Sequence, residues 1–290
     1  MLRLIVLIGL LLLAPFELAL GENASIVSIS TPRGVQQAFI LIKPDHPQAS
    51  VILFSGGDGV LRLNRMPQLK VGPNDFVAGN FLVRSRQNFA AHDLMVAVVD
   101  APSDHLKGMS PYFRISKDHA TDIGAVAEYL KREADVPVWL VGTSAGSWSA
   151  ALGAISAGRD DIATSAIGGL VLTSTVTRIP QDSVFGKAFP TFAGDYPDGV
   201  MSTALPEVRV PTLIMSHRDD GCVYTPAVDA PALGKRLSQA SKVEIAVITG
   251  GDPPQSDPCE AYAAHGYLGV EAQAVDTIAR FIKTRGAHEP

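Results

Sequence analysis

The chain has 290 residues, with 24 Lys+Arg against 29 Asp+Glu for a formal charge of −5, 47% apolar residues and only 18% charged residues. A net-negative chain lacks the clustered positive charge of a general nucleic-acid binder or of a protein drawn to anionic membranes. So much apolar surface also excludes a largely disordered chain, leaving one with a substantial core.

The chain begins Met1-Leu2-Arg3, runs apolar and uncharged from Leu4 to Ala14, and reaches Pro15 and then the small residues Ala19 and Gly21 ahead of Glu22. This is the pattern of a secretory leader over residues 1–21, and it predicts export to a periplasm or beyond the cell. The competing reading, a retained anchor, needs about 20 apolar residues, and Pro15 and Glu17 interrupt this run. No later segment is long and apolar enough to span a bilayer, so no stable membrane span is expected once the leader is removed.

Residues 22–290 contain no charge run, repeat or Pro/Ser linker and read as a single domain. Short apolar runs recur in chain order at Val51–Phe54, Leu94–Val99, Val138–Val141, Gly169–Thr173, Thr212–Met215 and Val243–Ile248. Helical-length segments, His119–Glu133, Ala145–Ala157, Val228–Ala240 and Val270–Thr284, lie between or after several of them. Strands apolar on consecutive positions are buried on both faces, so the alternation predicts an α/β fold: a mostly parallel central sheet with helices on both faces. Two stretches break the rhythm, Gly59 to about Phe76 and Val176 to about Val208, and each is a candidate for lining or covering a cleft.

Cys222 and Cys259 are the only cysteines. An even count in an exported chain predicts one disulfide, worth about 4 kcal/mol in the chain-entropy account; the competing reading is two buried thiols. No His or Cys stands at paired ligand spacing around them, so no metal is implied.

Gly142-Thr143-Ser144-Ala145-Gly146 matches G-x-S-x-G. With 26 glycines in the chain the match alone says little. Its setting says more, because the run ending at Val141 leads into it and an Ala-rich helical stretch follows, which is the strand–turn–helix context of an exposed nucleophilic serine. The alternative is a glycine-flanked helix cap. A serine nucleophile needs a base and a group to orient that base. After the strand Thr212–Met215, Asp219 and Asp220 stand where sites in parallel sheets gather, with Asp220 the first choice and Asp219 the reserve. Asp100 also ends a strand but precedes the serine, and is expected to shape its own turn. Beyond the last strand, His265 is the candidate base; His217, next to the acids, is its competitor and more naturally braces that loop. Of the other histidines, His46, His92, His105, His119 and His288, most are expected at the surface or in turns. A bridge from Cys222 to Cys259 would tie the acid loop to the base loop. Ser55-Gly56-Gly57-Asp58-Gly59 follows a strand and can supply a backbone N–H for a developing oxyanion, from Gly57 or Asp58, beside that of Ala145. The rival use of this loop, cradling phosphate, lacks both G-K-[ST] and G-x-G-x-x-G.

At this point the chain resembles the α/β-hydrolase family over nearly all of residues 22–290. Gly142–Gly146 is similar to the family's nucleophile elbow and Ser55–Gly59 to its oxyanion loop, and Ser144, Asp220 and His265 occur in the family's order. The chain departs from many relatives in carrying Ser55 where they have His-Gly, and its Val176–Val208 insert is short beside the lids of many lipases. The resemblance implies an exported serine hydrolase that acts on a small-molecule carboxylic ester or related acyl compound through an acyl-enzyme, without a cofactor or catalytic metal. Peptidase, thioesterase or acyltransferase chemistry would use the same three residues. A non-catalytic binding protein on the same fold is the alternative from another class.

Overall fold

A computed structural model of the chain describes residues 24–63, 79–159 and 166–286. The expected leader over residues 1–21, and all but the first part of the irregular stretch that starts at Gly59, lie outside these residues.

The strands are β1 (Ala24–Ser30), β2 (Gln36–Ile42), β3 (Ala49–Phe54), β4 (Leu94–Val99), β5 (Val138–Ser144), β6 (Ile167–Thr175), β7 (Thr212–His217) and β8 (Val243–Ile248). The helices are α1 (Phe81–Arg84), α2 (Arg86–Ala91), α3 (Pro111–Arg114), α4 (Lys117–Glu133), α5 (Gly146–Gly158), α6 (Val184–Ala188), α7 (Pro190–Asp195), α8 (Ala230–Arg236) and α9 (Glu271–Gly286). Among the described residues one sheet takes all eight strands, in the order β1-β2-β4-β3-β5-β6-β7-β8. The last six in that order run parallel, and β2 pairs antiparallel with both β1 and β4.

The consecutive apolar runs have the physical cause the sequence suggests. Alternate side chains of a strand point to opposite faces, and here both faces are covered. Val51 and Leu53 join one core with Phe81, Phe89 and Ile278 from α1, α2 and α9, while Ile52 and Phe54 join the other with Ile123 and Leu130 of α4 and Ala154 of α5. At about 25 cal/mol per Å² of apolar surface, these two layers supply the main drive to fold. Because β3, β5 and β7 run parallel, their C-terminal ends share one rim, where the loops after them meet.

Three expectations are corrected and one strand pair is added. The hairpin β1–β2 is not among the expected strands: β1 interleaves polar residues, as an exposed edge does, while β2 carries the apolar run Ala38–Ile42, buried from Phe39 onward, which the expected strands leave out. Strand β8 is the opposite edge and is largely exposed, with Ile245 and Val247 facing solvent, although its apolar sequence suggested burial on both faces. The expected helix Val228–Ala240 shortens to α8, preceded by a 3-10 turn at Ala227–Asp229. The stretch Val176–Val208 is not irregular throughout, since it holds α6, α7 and two 3-10 turns, each too short for a periodic signal.

Asp100, at the end of β4, braces its turn and more. Its carboxylate accepts from the amides of Leu61 (2.6 Å), Leu63 (2.9 Å) and Ala101 (2.8 Å), fixing the chain that leaves the β3 loop. Burial raises the carboxyl's pKa despite these donors.

His119 is the exception to the placement expected of most of the remaining histidines. It lies in the first turn of α4, 3% exposed, edge-on to Phe54 and against Phe113, and neither ring nitrogen has a hydrogen-bond partner among the described residues. Burial first, then the positive charges of Arg114 and Arg33 and the neighbouring His105, lowers its pKa from 6.5 to about 3. The unfolded chain therefore binds a proton below pH ~6.5 that the folded protein excludes until about pH 3, and stability falls as pH falls through that window. The contribution is about 1.4 kcal/mol per pH unit at most. Urea unfolding between pH 6 and pH 4 should give a shallower loss of stability for His119→Gln than for the wild type, by roughly 1 kcal/mol per unit; identical slopes would show that this imidazole is not excluded from protonation.

Candidate functional site

Strand β5 ends on Ser144 and α5 starts at Gly146, so the chain reverses within two peptide units. Ser144 takes a left-handed backbone at φ 52°, a conformation that costs a non-glycine residue about 1–2 kcal/mol and persists only where the surroundings force it. The flanking glycines show what forces it. A Cβ at Gly142 would stand 2.4 Å from the Gly146 carbonyl oxygen, and one at Gly146 would stand 2.0 Å from the Phe54 carbonyl oxygen. The G-x-S-x-G spacing is thus a packing requirement of the β3–β5–α5 corner. Ser144 is not the helix cap; Ala145 holds that position without a side-chain bond, leaving first-turn amides of α5 open to a negative charge.

The acid and base candidates are brought together. His265 Nδ1 lies 3.1 Å from Asp220 Oδ2, with both side chains buried. An ionised carboxylate can only accept, so Nδ1 carries the proton and Nε2 presents a lone pair. Asp220 is itself fixed: Oδ1 accepts from the Cys222 amide (3.0 Å) and Oδ2 from the Thr225 hydroxyl (2.8 Å), whose oxygen is 3.1 Å from His265 Nδ1. Asp219 is exposed and makes no such contact. The competitor His217 braces the loop, with Nε2 2.9 Å from the Gly250 carbonyl and Nδ1 accepting from the Asp219 amide (3.1 Å).

The base loop is clamped from several sides. The Ser174 hydroxyl donates to the His265 carbonyl (2.8 Å), Arg84 donates to the Gly266 carbonyl (2.6 Å), and the buried Tyr267 hydroxyl donates to the Met215 carbonyl (3.0 Å). Cys222 and Cys259 form a disulfide that joins the acid loop to the base loop.

Ser144, Ala145 and His265 open on one cavity of ≈ 420 Å³, together with Gly57 and Asp58 of the β3 loop, while Asp220 sits behind the imidazole. Gly56 packs on the serine itself: a Cβ there would meet Ser144 Cβ at 2.9 Å. The remaining walls are mainly apolar and include Met109, Pro111, Trp148, Ile179, Phe185 and Phe189. Three of these come from Val176–Val208 and its helices or from the turn beside them, so that stretch does line the cleft as expected; the counterpart after Gly59 is described only to Leu63.

Two residues of the site escaped sequence reasoning. Thr225 follows Asp220 by five positions in an unpatterned loop, and nothing local marks its hydroxyl. Arg114, 2% exposed, lies under the Ser55–Asp58 loop, and its guanidinium donates to the Gly57 carbonyl (3.1 Å), to the Ser55 carbonyl (3.4 Å) and to the Ser149 hydroxyl (2.8 Å). Burial lowers its pKa to about 10, against a smaller opposing effect of Asp58, so it stays charged at neutral pH. Its one signal, an arginine inside a short apolar turn, is too common to single it out.

No protein-family model matches the chain, and no curated protein matches it in sequence. Solved structures do match. The Pyrococcus furiosus esterase Pf2001 is 14% identical with a TM-score of 0.59, covering 91% of this chain and 93% of its own. Brefeldin A esterase, a bacterial homologue of human hormone-sensitive lipase, is 17% identical with a TM-score of 0.59 over 91% and 77% of the two chains. Carboxyl esterase 2 of the mycorrhizal fungus Tuber melanosporum is 17% identical with a TM-score of 0.58 over 91% and 87%. With the strand order and helix placement above, these likenesses show that the chain has the α/β-hydrolase fold.

The disulfide spans 37 positions, and closing such a loop stabilises the folded state by about 4 kcal/mol in the chain-entropy account. Replacing both cysteines by serine should lower the melting temperature by several degrees, since the Asp220 and His265 loops lose their tie. Unreduced peptide mapping should recover Cys222 joined to Cys259; a double variant as stable as the wild type would remove the bridge from the stability of this fold.

Proposed function

We propose that the protein is an exported serine hydrolase, with residues 22–290 as a single α/β-hydrolase domain, that cleaves a carboxylic ester or related acyl bond in a small molecule. The observation that carries this reading is the strained Ser144 on the wall of the same cavity as His265, with the imidazole's Nδ1 bonded to buried Asp220. Strain of this kind at a half-buried serine that lines a cavity is retained where position matters more than stability.

In this reading the Ser144 hydroxyl attacks the substrate carbonyl carbon as His265 Nε2 takes its proton. Asp220 holds the imidazole in the tautomer that leaves Nε2 free and stabilises the imidazolium that forms. The carbonyl oxygen becomes an oxyanion, held by the Ala145 amide at the start of α5 and by an amide of Gly57 or Asp58. As the tetrahedral intermediate collapses, the bond to the leaving group breaks and the leaving group collects the proton from His265. A water molecule then attacks the acyl-Ser144 ester with His265 again as base, releasing the acid and restoring the serine. No metal or cofactor is needed in any step.

The apolar walls favour an acyl or alcohol portion with little charge, and the esterases among the structural neighbours favour ester over amide cleavage. The disulfide suits an oxidising compartment, and among the described residues no helix is long and apolar enough to cross a membrane, which fits export.

Ser144→Ala should lower kcat/KM for a short-chain aryl ester by at least ~10³-fold while leaving the melting temperature within a degree or two. His265→Gln should do the same. A fluorophosphonate should add covalently to Ser144 of the folded wild type, located by peptide mass spectrometry; absence of the adduct, or full activity in Ser144→Ala, would favour a non-catalytic binding protein.

A further inference from the structure

We propose that Arg114 is a positioning residue for the reaction: its guanidinium holds the Ser55–Asp58 loop in the orientation that presents backbone donors to the oxyanion. The proposal rests on the hydrolase reading above and adds to it a residue outside the serine, acid and base.

The geometry is that of one fork gripping three partners. Nη2 of Arg114 takes the carbonyls of Ser55 and Gly57, and Nη1 takes the Ser149 hydroxyl on α5, the helix whose start lies behind Ser144. No peptide bond in the described chain is cis. In a trans peptide unit the C=O and the following N–H point in opposite directions. Drawing the carbonyls of Ser55 and Gly57 down onto Arg114 therefore turns the amides of Gly56 and Asp58 to the other side, and it fixes the Gly57 amide between two anchored planes.

At its exit the loop is also held by the Met109 amide, which donates to the Asp58 carbonyl (2.9 Å), and by the Val60 amide, which donates to Asp58 Oδ1 (3.1 Å); Arg114 is the side chain that holds the Ser55 and Gly57 carbonyls before it. Gly56, Gly57 and Gly59 leave the backbone free to rotate, Gly57 and Gly59 both sit at positive φ, and Gly57 and Asp58 are exposed. The guanidinium also places a positive charge behind the carbonyl ends of these peptide units. Charge there polarises each unit and strengthens its N–H as a donor, an effect enlarged where water is excluded. Arg114 has no carboxylate within ion-pair distance among the described residues, and its remaining Nε–H is unpartnered and buried. A cation kept inside an apolar corner for packing alone would be replaceable by a neutral side chain of like size, whereas tying the two loop carbonyls on Nη2 to the Ser149 hydroxyl on Nη1 takes a planar fork that lysine lacks.

The test compares Arg114→Met, Arg114→Lys and Arg114→Ala with the wild type, using steady-state hydrolysis of an aryl ester and fluorophosphonate labelling. Arg114→Met should lose kcat about 10²-fold, the scale of losing one oxyanion donor, with KM within about threefold. Arg114→Lys, which keeps the charge and loses the fork, should fall in between. Guanidinium chloride at low millimolar concentration, far below denaturing levels, should restore part of the activity of Arg114→Ala and have no such effect on the wild type or on Ser144→Ala. Near-wild-type kcat in a folded Arg114→Met or Arg114→Lys would overturn the proposal, as would activity lost only in step with folding and without guanidinium rescue. Labelling of wild-type Ser144 keeps the two ideas apart: an adduct with unchanged Arg114 variants sinks the positioning role alone, whereas no adduct sinks the hydrolase reading beneath it.

Discussion

The contact on which the site depends is the approach of α5 to the end of β3, where the Gly146 position leaves no room for even a methyl group beside the Phe54 carbonyl. Bringing a helix start that close to a neighbouring strand forces the intervening residue into a left-handed turn, and Ser144 is that residue. The same approach seats Gly56 against the serine side chain and sets the open amides of α5 next to the β3 loop. Serine, loop and helix start are three consequences of one packing condition. Loosening that condition anywhere would release the strain and displace all three.

Around this fixed corner the other half of the site is assembled by side-chain bonds. Asp220 and His265 come from loops after different strands, and the distance between them is maintained by Thr225, the Cys222 amide, Ser174, Arg84 and Tyr267. Precision in this half is distributed over many modest interactions, each worth about 0.5–3 kcal/mol. The backbone-made half is rigid because atoms cannot overlap, and the loop-made half because several donors agree.

That division explains what could be read from the sequence. Steric demands leave a local trace: Gly142 and Gly146 flank Ser144, and apolar runs such as Val51–Phe54 mark strands covered on both faces. The order of Ser144, Asp220 and His265 was legible because each follows a recognisable strand, and so was the pairing of the only two cysteines. Arg114 and Thr225 were not legible, because their importance lies in partners 57 and 40 positions away, at Gly57 and His265. His119 misled because a histidine near a helix start is commonly solvated, and only the rings of Phe54 and Phe113 reveal its burial. The edges misled in opposite directions: β1 is a strand without an apolar run, and β8 has such a run without full cover.

The bridge between Cys222 and Cys259 also changes the topology of the chain. Everything from position 222 to 259, α8 and β8 included, lies inside a covalent ring, and residues 250–255 of that ring are exposed. A protease that cuts this outward-facing loop makes a two-piece molecule whose C-terminal piece, with the imidazole and α9, stays tethered by sulfur. Under oxidising conditions a nick there is a scar and not an amputation; only a reductant turns it into loss of the fragment.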